Sequence, residues 1–416
     1  MAHLWHSRLD SPPFPVARTE AIGRVFISEA MLTSDQRTSD NSWLDSYRSQ
    51  IGRHRADVTT PALLLDLDVA RRNSAAMAAR FRDLPADLRP HIKVHKSAPL
   101  AHMEIAAGAI GVACATIWEA QVMAEAGIAD VLIANQVVSP DKVAALAELA
   151  REHRITVAVD DARNVAQLQD AAKLAGSKLE VLVEIDVGMG RCGVRTKEAA
   201  LRIAEQLRGC SRLEMRGLQG YEGHAMVQDS EARLRAVCGA NATLIEVADY
   251  LEERGQSSAV LSGGGTGTYL ITGANSRINE VQAGSYLLMD CFHDSLVPGN
   301  FEFALSVLGT VVSAQGNTIV LDAGRKSVGI ELVTPRLAGT TGGTVRHFAE
   351  EHCIVDFASS APLGFADTAE ILPGYAPTTV NLHDVFHVVE DNVVTDIWPV
   401  DPRGSGVPRG TRAAEA

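Results

Sequence analysis

The sequence of 416 residues lacks the features that mark several large classes of protein. It has no run of about 18 apolar residues to cross a bilayer, and its start, MAHLWHSRLDSPPFP, lacks the basic and apolar stretches of a signal peptide. Basic residues number 38 against 51 acidic ones, and no Lys/Arg run is dense enough for a nucleic-acid backbone. We therefore expect neither a membrane nor a nucleic acid as a partner.

Paired cysteines are also lacking. The six cysteines are scattered, without CxxC pairs or companion histidines at zinc spacing, at positions 114, 192, 210, 238, 291 and 353. This pattern is typical of reduced thiols, so we expect a cytoplasmic protein.

Apolar runs and amphipathic segments alternate through the first two thirds of the chain. Residues 1–56 are rich in Ser, Asp, Arg and Pro and predict an N-terminal extension outside the main core. Eight strand candidates follow, namely HIKVH, GVACA, VLIAN, TVAVD, LEVLVEID, RGLQGY, SAVLSGG and INEVQAG. Strand and helix in such alternation predict a (β/α)8 TIM-type barrel over residues 57–297. A doubly wound sheet is the alternative, but it needs a glycine-rich turn after the first strand, which we do not find.

The pattern changes after about Pro298. β-rich segments with turn residues between them, such as Gly316-Asn317 and Asp391-Asn392, predict a C-terminal β domain over residues 298–403. The tail at 404–416 has the composition of a disordered segment.

The stretch RPHIKVHKS, at residues 89–97, places two lysines and two histidines in a predicted barrel strand. Strand side chains alternate in direction, so His91, Lys93 and His95 are expected on one face. Lys96 is expected on the opposite face. A lysine enclosed by barrel walls loses its ammonium form more readily, and the neutral amine is the nucleophile of Schiff-base chemistry. On this stretch alone, a structural ion pair or an exposed strand end would explain Lys93 as well.

Two glycine-rich segments follow the last predicted strands. SGGGTGTY, at residues 262–269, supplies four glycines and two threonines, and QAGSY, at residues 282–286, follows the next strand. Each could be a tight turn, but both suit an anion, and barrel phosphate sites commonly lie after strands seven and eight. A lysine on an early strand and a phosphate cradle on late strands indicate pyridoxal phosphate.

Seven motifs, in order from about residue 58 to 403, resemble the D-threonine aldolase and D-serine dehydratase family. These are fold type III pyridoxal-phosphate enzymes with an alanine-racemase-like barrel. The motifs are TPALLLDLD, LRPHIKVHKS, VEIDVGMGRCGV, GLQGYEGH, LSGGGTGTY, VQAGSYLLMD, and TVNLHD with a later WPV.

The resemblance implies a role for each motif residue. Lys93 would form the Schiff base, Arg191 would lie near the phenolic oxygen of the cofactor, and Tyr221 would lie near its pyridine nitrogen. A neutral tyrosine there would leave that nitrogen largely unprotonated. The phosphate would be held by the two loops, through Gly264, Gly265, Thr266, Gly267, Gly284 and Ser285. The family also implies a homodimer.

The sequence departs from the family at the metal site. Relatives hold a divalent metal with the His and the Cys or Asp of a PNHxC or PNHxD motif, where this chain has LPGYAPTTVNL. Tyr375 then stands at the histidine and Pro377 at the second ligand. Proline has no side-chain donor and tyrosine is an uncommon ligand, so we expect no metal here.

The expected activity is cleavage of a D-configured or α-substituted β-hydroxy amino acid to glycine or a homologue and an aldehyde. Losing a Lewis acid harms dehydration more, because hydroxide is a poor leaving group, whereas retro-aldol cleavage needs a base for the hydroxyl proton. Tyr375 and His383 are the catalytic candidates, with His293 and His387 as other nearby histidines. A D-serine-type dehydratase, an amino-acid racemase or epimerase, and a non-catalytic binder of pyridoxal phosphate remain alternatives.

Overall fold

A computed structural model describes residues 42–339 and 342–403. In chain order, the strands of these residues are β1 (Ala62–Asp66), β2 (Asp87–Leu88), β3 (Val112–Cys114), β4 (Asp130–Gln136), β5 (Arg154–Val159), β6 (Leu179–Glu184), β7 (Leu213–Gly220), β8 (Val260–Gly263), β9 (Glu280–Val281), β10 (Leu305–Gln315), β11 (Thr318–Leu321), β12 (Arg336–Leu337), β13 (Gly343–Phe348), β14 (Cys353–Phe357), β15 (Thr368–Leu372), β16 (Val385–Glu390) and β17 (Val393–Pro399).

The α-helices of the same residues are α1 (Asp45–Arg48), α2 (Leu67–Phe81), α3 (Ala98–Ala106), α4 (Ile117–Glu125), α5 (Pro140–Leu149), α6 (Ala162–Ala175), α7 (Lys197–Arg208), α8 (Ser230–Glu252), α9 (Tyr269–Gly273), α10 (Cys291–Leu296) and α11 (Ala376–Leu382). Of the helices described here, none combines the length and apolar character that a membrane crossing requires.

Eight parallel strands form the barrel, in the order β2-β9-β8-β7-β6-β5-β4-β3. A parallel bridge between His91 and Ala113 joins the two ends of this order. Strands β5 and β6 are buried along most of their length, because side chains inside the barrel cover one face and helices cover the other. The predicted (β/α)8 barrel is confirmed.

Seven of the eight strand candidates overlap barrel strands, but the prediction for HIKVH is wrong. Strand β2 ends at Leu88, and the segment Ile92–Val94 is a 3-10 helix. The His91 imidazole accepts a hydrogen bond from the Lys93 N–H at the start of this turn. The Ile92 carbonyl then accepts from both the His95 and the Lys96 N–H groups, which closes the turn. Local hydrogen bonds of this kind compete with strand pairing.

The β domain contains one sheet of nine strands. Its main path is β13-β14-β11-β10-β1-β16-β17, and β15 pairs with β10 and β12. Strand β1 precedes the barrel in the sequence, yet it lies in this sheet, antiparallel to β10 and parallel to β16. The structure therefore differs from the predicted boundaries of 57–297 for the barrel and 298–403 for the β domain.

Residues before β1 also pack against this sheet. Leu44 is buried in a cluster with Leu64 and Val389, and the Val394 N–H donates a hydrogen bond to the Arg53 carbonyl. The part of the predicted extension 1–56 that the structure describes, from residue 42, thus belongs to the packing of the β domain. The predicted disordered tail at 404–416 lies outside the described residues.

A network of ion pairs, with Arg89 and Glu280 buried at its centre, closes the N-terminal end of the barrel. The Arg89 guanidinium lies 2.7 Å from the carboxylate of Asp130 and 2.7 Å from that of Glu280. Arg154 joins Asp130 to Glu180, which also binds Arg216. The Arg89 side chain is 9% exposed, and it is the ion-pair partner of the buried carboxylate of Glu280, which therefore depends on it for charge compensation.

Replacing Arg89 with Met should lower the free energy of unfolding by about 3–5 kcal/mol, because the buried carboxylate of Glu280 loses its counter-charge and Asp130 loses one of its two ion pairs. The matched control is Arg151→Met, which breaks an exposed ion pair with Glu148 and should cost less than about 1 kcal/mol. Urea unfolding followed by circular dichroism measures both changes. Equal losses in the two variants would contradict this role of Arg89.

Candidate active site

The C-terminal ends of the barrel strands surround a cavity of about 210 Å3. Its ionisable lining residues are His91, Lys93, Glu184, Arg191, Cys192, Tyr221, His293 and Tyr375. A larger and more open groove of about 460 Å3 follows α8 on the outer surface, and its described lining includes no lysine and no histidine. The barrel cavity is therefore the candidate active site, in the position that active sites of this fold occupy.

Lys93 lines the cavity from the 3-10 helix after β2. Its ammonium group has no hydrogen bond or ion pair with any residue of the described ranges. Burial lowers the pKa of Lys93, the nearby positive charge of Arg191 lowers it further, and Glu119 opposes the shift weakly. A larger fraction of neutral amine follows, as a nucleophilic lysine requires.

The other basic residues of this segment lie in different places, and the 3-10 turn, not strand alternation, separates them. His91 lines the cavity, and burial, with Lys93 and His95 as next causes, holds its pKa well below the usual range. His95 does not line it, because its Nε2–H donates to the buried carboxylate of Glu104. The Lys96 ammonium group donates to the Asn381 side chain, away from the cavity. The predicted shared face of His91, Lys93 and His95 is therefore wrong for His95.

The glycine-rich loop after β8 is held by the buried carboxylate of Glu222. This carboxylate accepts hydrogen bonds from the Gly264 N–H at 3.0 Å and from the Thr268 and Thr272 hydroxyls at 2.8 Å. Gly264 has a φ of 77°, in the left-handed region that favours glycine. Sequence reasoning gave Glu222 no role, although it directly follows Tyr221 in GYEGH.

The two predicted phosphate loops meet at the cavity. The Tyr286 N–H donates to the Thr266 hydroxyl at 3.1 Å, which ties one loop to the other. A Cβ on Gly284 would lie 2.2 Å from the His91 carbonyl oxygen, so only glycine fits there. Among the described residues, the loop N–H groups of Thr266, Gly267, Gly284 and Ser285 have no hydrogen-bond acceptor. Such a cluster of donors suits a phosphate.

Gly264 and Gly265 contribute differently from the prediction. Both line the cavity, but the Gly264 N–H donates to Glu222 and the Gly265 N–H donates to the Thr268 hydroxyl at 3.0 Å. Their N–H groups are therefore used to shape the loop.

Arg191 and Tyr221 lie in the cavity close to Lys93. The Arg191 guanidinium is 5.5 Å from the centre of the Tyr221 ring, and the Lys93 Nζ is 5.6 Å from it. Burial raises the pKa of Tyr221, and the negative charges that Glu222 and Tyr375 can carry raise it further. The phenol therefore stays protonated near neutral pH and can act as a hydrogen-bond donor or acceptor.

Tyr375 lines the cavity opposite the barrel loops, at the start of α11. Burial raises its pKa, with contributions from Asp290 and Glu331. Its ring stacks on that of His293, with centres 5.9 Å apart and planes inclined by 18°. Pro377 belongs to the first turn of α11 and does not line the cavity.

His383 is the predicted catalytic residue that the structure leaves outside the cavity. Its Nε2–H donates to the Ser327 carbonyl at 2.8 Å, and burial lowers its pKa to about 4. His387 is also outside, because its ring hydrogen-bonds with the Leu63 carbonyl and the Gln50 side chain. His383 and His387 were selected because they are close to Tyr375 in the sequence. Helix α11 lies between Tyr375 and the two histidines, so this proximity does not bring them to the cavity, and the prediction failed. His293 is the nearby histidine that lies in the cavity.

The donors at the family's metal position do not fit a metal ion. The family resemblance puts Tyr375 and Pro377 at the positions of the metal ligands; proline has no side-chain donor, and tyrosine is an uncommon ligand. In residues 42–339 and 342–403, no group of three or more His, Cys, Asp or Glu side chains is arranged to share an ion.

Comparison with known proteins matches both halves of the chain to family models. Residues 65–291 match the alanine racemase N-terminal domain, and residues 304–389 match a putative serine dehydratase domain. A D-threonine aldolase from Arthrobacter sp is 38% identical over 363 residues, covering 86% of this chain and 96% of that relative. The chain belongs to the D-threonine aldolase and D-serine dehydratase family.

Two further relatives support this family membership. A 3-hydroxy-D-aspartate aldolase from Paracoccus denitrificans (strain Pd 1222) is 36% identical, covering 85% of this chain and 95% of the relative. The crystal structure of D-threonine aldolase from Filomicrobium marinum superposes with a TM-score of 0.82 at 36% identity, covering 85% of this chain and 98% of that one.

The site of this family member fits pyridoxal phosphate. It has an amine of lowered pKa on Lys93, and the loop N–H groups without acceptors can hold the phosphate. Arg191 and Tyr221 are the groups that can contact the ring substituents.

Replacing Glu222 with Gln should weaken the binding of pyridoxal phosphate about 10-fold, because an amide replaces one acceptor oxygen with a donor and the loop loses a hydrogen bond. The matched control is Glu231→Gln on the exposed side of α8. Absorbance titration of the cofactor-free protein measures the affinity. An unchanged affinity in a folded Glu222→Gln variant would contradict the role of Glu222.

Proposed function

We propose that the protein is a pyridoxal-phosphate-dependent aldolase that cleaves a D-configured or α-substituted β-hydroxy amino acid. The products are glycine, or its homologue, and an aldehyde. The observation that carries the proposal is the pairing, in one cavity, of the Lys93 amine with a cluster of loop N–H groups that lack acceptors. Two relatives are named D-threonine aldolase and 3-hydroxy-D-aspartate aldolase, and these names indicate the substrate class.

Each site residue has a distinct part in this proposal. Lys93 attaches the cofactor through its amine, and the N–H groups of Thr266, Gly267, Gly284 and Ser285 hold the phosphate. When bound, pyridoxal phosphate withdraws electrons from the Cα of an attached amino acid. With the cofactor bound, Tyr221 would face the ring as a neutral phenol and would supply no charge to the pyridine nitrogen, whereas Arg191 would supply positive charge near the phenolic oxygen.

The donors near Tyr375 favour the aldolase over the dehydratase. Dehydration must expel the β-oxygen, and a metal assists that step as a Lewis acid. Pro377 has no donor, and the raised pKa of Tyr375 disfavours the phenolate that would bind a metal. Cleavage of the Cα–Cβ bond needs only that a base take the hydroxyl proton.

We also infer a cytoplasmic homodimer. The cysteines form no disulfide within the described residues, as expected of a reducing compartment. The family resemblance supports the dimer.

The purified protein with pyridoxal phosphate should convert D-threonine to acetaldehyde and glycine, and it should leave L-threonine unchanged. Lys93→Ala should release no acetaldehyde, because the attachment point of the cofactor is lost. Acetaldehyde, glycine and ammonia are assayed separately, with 3-hydroxy-D-aspartate as a second substrate.

Formation of ammonia and a 2-oxo acid without glycine would favour the dehydratase. Loss of optical activity without either pair of products would favour the racemase. Both outcomes contradict the aldolase proposal.

A further inference from the structure

Asp290, His293 and Tyr375, at the starts of α10 and α11, form a compact cluster beside the cavity. Asp290 is fully buried, and its two carboxylate oxygens bind different segments. Oδ1 accepts hydrogen bonds from the His293 N–H and the His293 ring Nδ1, both at 2.8 Å. Oδ2 accepts from the Ala376 N–H at 2.8 Å, at the first residue of α11. Asp290 therefore fixes His293 and the adjacent Tyr375 relative to each other.

The hydrogen bond to Asp290 determines which nitrogen of His293 carries the proton. A carboxylate accepts, so Nδ1 holds the hydrogen in the neutral ring, and Nε2 keeps a lone pair. In the part of the chain that the structure describes, Nε2 has no hydrogen-bond partner, and the ring lines the cavity. His293 is 7% exposed, so the ring is held in this orientation by its surroundings.

Other ionisable groups of the cavity are less suited to accept a proton. The Glu184 carboxylate already accepts a hydrogen bond from the Gln136 side chain. The His91 Nδ1 accepts from the Lys93 N–H, and burial disfavours protonation of that ring. The phenol of Tyr375 is protonated, and its ring stacks on His293. His293 Nε2, by contrast, has a lone pair and no hydrogen-bond partner among the described residues.

We propose that His293 is the base that removes the β-hydroxyl proton of the substrate, with Asp290 as its positioning residue, in a site that needs no metal ion. This inference rests on the proposed aldolase function. Tyr375 completes the site as a neutral hydrogen-bond donor to the β-oxygen or to a substituent beside it.

The step balances without an oxidant or a reductant. The hydroxyl proton moves to His293 Nε2, the O–H electron pair becomes the second bond of the aldehyde carbonyl, and the Cα–Cβ bond breaks. The electron pair of that bond stays with Cα, which later receives one proton. Glycine and an aldehyde leave, and Nε2 gives its proton to the solvent, which supplies the proton at Cα, so the protein is unchanged after one cycle.

Replacing His293 with Gln should lower kcat for acetaldehyde release from D-threonine about 100-fold to 10,000-fold, because the proton acceptor is lost. The same variant should retain cofactor absorbance and should exchange the α-protons of glycine in D2O at the wild-type rate, since glycine has no hydroxyl. The matched control is His102→Gln on α3, whose exposed ring contacts only the Ala126 carbonyl among described residues. Added imidazole should partly restore acetaldehyde release in His293→Ala.

Replacing Asp290 with Asn should lower kcat about 10-fold to 100-fold with little change in KM, by analogy with groups that orient a histidine ligand. The amide oxygen can still accept from a backbone N–H, so α10 should remain folded, as circular dichroism would report. Wild-type acetaldehyde release should survive exhaustive EDTA treatment and should not rise when Mn2+ is added.

The outcomes of these experiments distinguish the proposed aldolase function from the proposed role of His293. A wild-type protein that releases no aldehyde from any β-hydroxy D-amino acid overturns both. An active wild type with a fully active His293→Gln variant overturns the role of His293 alone. Activity that disappears with EDTA and returns with Mn2+ overturns the metal-independent site.

Discussion

The chemistry of this site depends on the loss of water around the Lys93 amine. Burial lowers the pKa of Lys93, and the positive charge of Arg191 adds to the shift. Several features of the fold serve this one condition. The 3-10 helix after β2 directs Lys93 into the barrel, the closing bridge between His91 and Ala113 fixes that helix, and the starts of α10 and α11 bring His293 and Tyr375 to the same cavity.

Buried carboxylates organise the two sides of the cavity in the same way. Glu222 shapes the phosphate loop through three hydrogen bonds, and Asp290 fixes His293 and the start of α11 through three others. Neither side chain lines the cavity. Each carboxylate holds neighbouring residues in position, so the groups that line the cavity are positioned by residues that do not line it.

The sequence was most informative where the pattern is periodic or the motif is local. The barrel could be predicted, and so could the meeting of Lys93, Arg191, Tyr221 and the glycine-rich loops in one cavity, since each depends on short apolar runs or on contiguous motifs. The 3-10 turn after His91 could not be predicted. It results from local hydrogen bonds, which leave neither a helical nor a strand period in the sequence. The position of β1 in the β domain also escaped prediction, because an apolar run such as ALLL suits either sheet. The sequence offered His293 as one of several histidines, but its grouping with Asp290 and Tyr375 required the fold, since α10 and α11 are far apart in the sequence.

The most direct test of the account is to reduce the protein with borohydride in the presence of pyridoxal phosphate and to map the modified residue by mass spectrometry. The account predicts a single labelled lysine, Lys93, with Lys96 unlabelled because its ammonium group is held by Asn381. Labelling of Lys96, or no labelled lysine at all, would contradict the account.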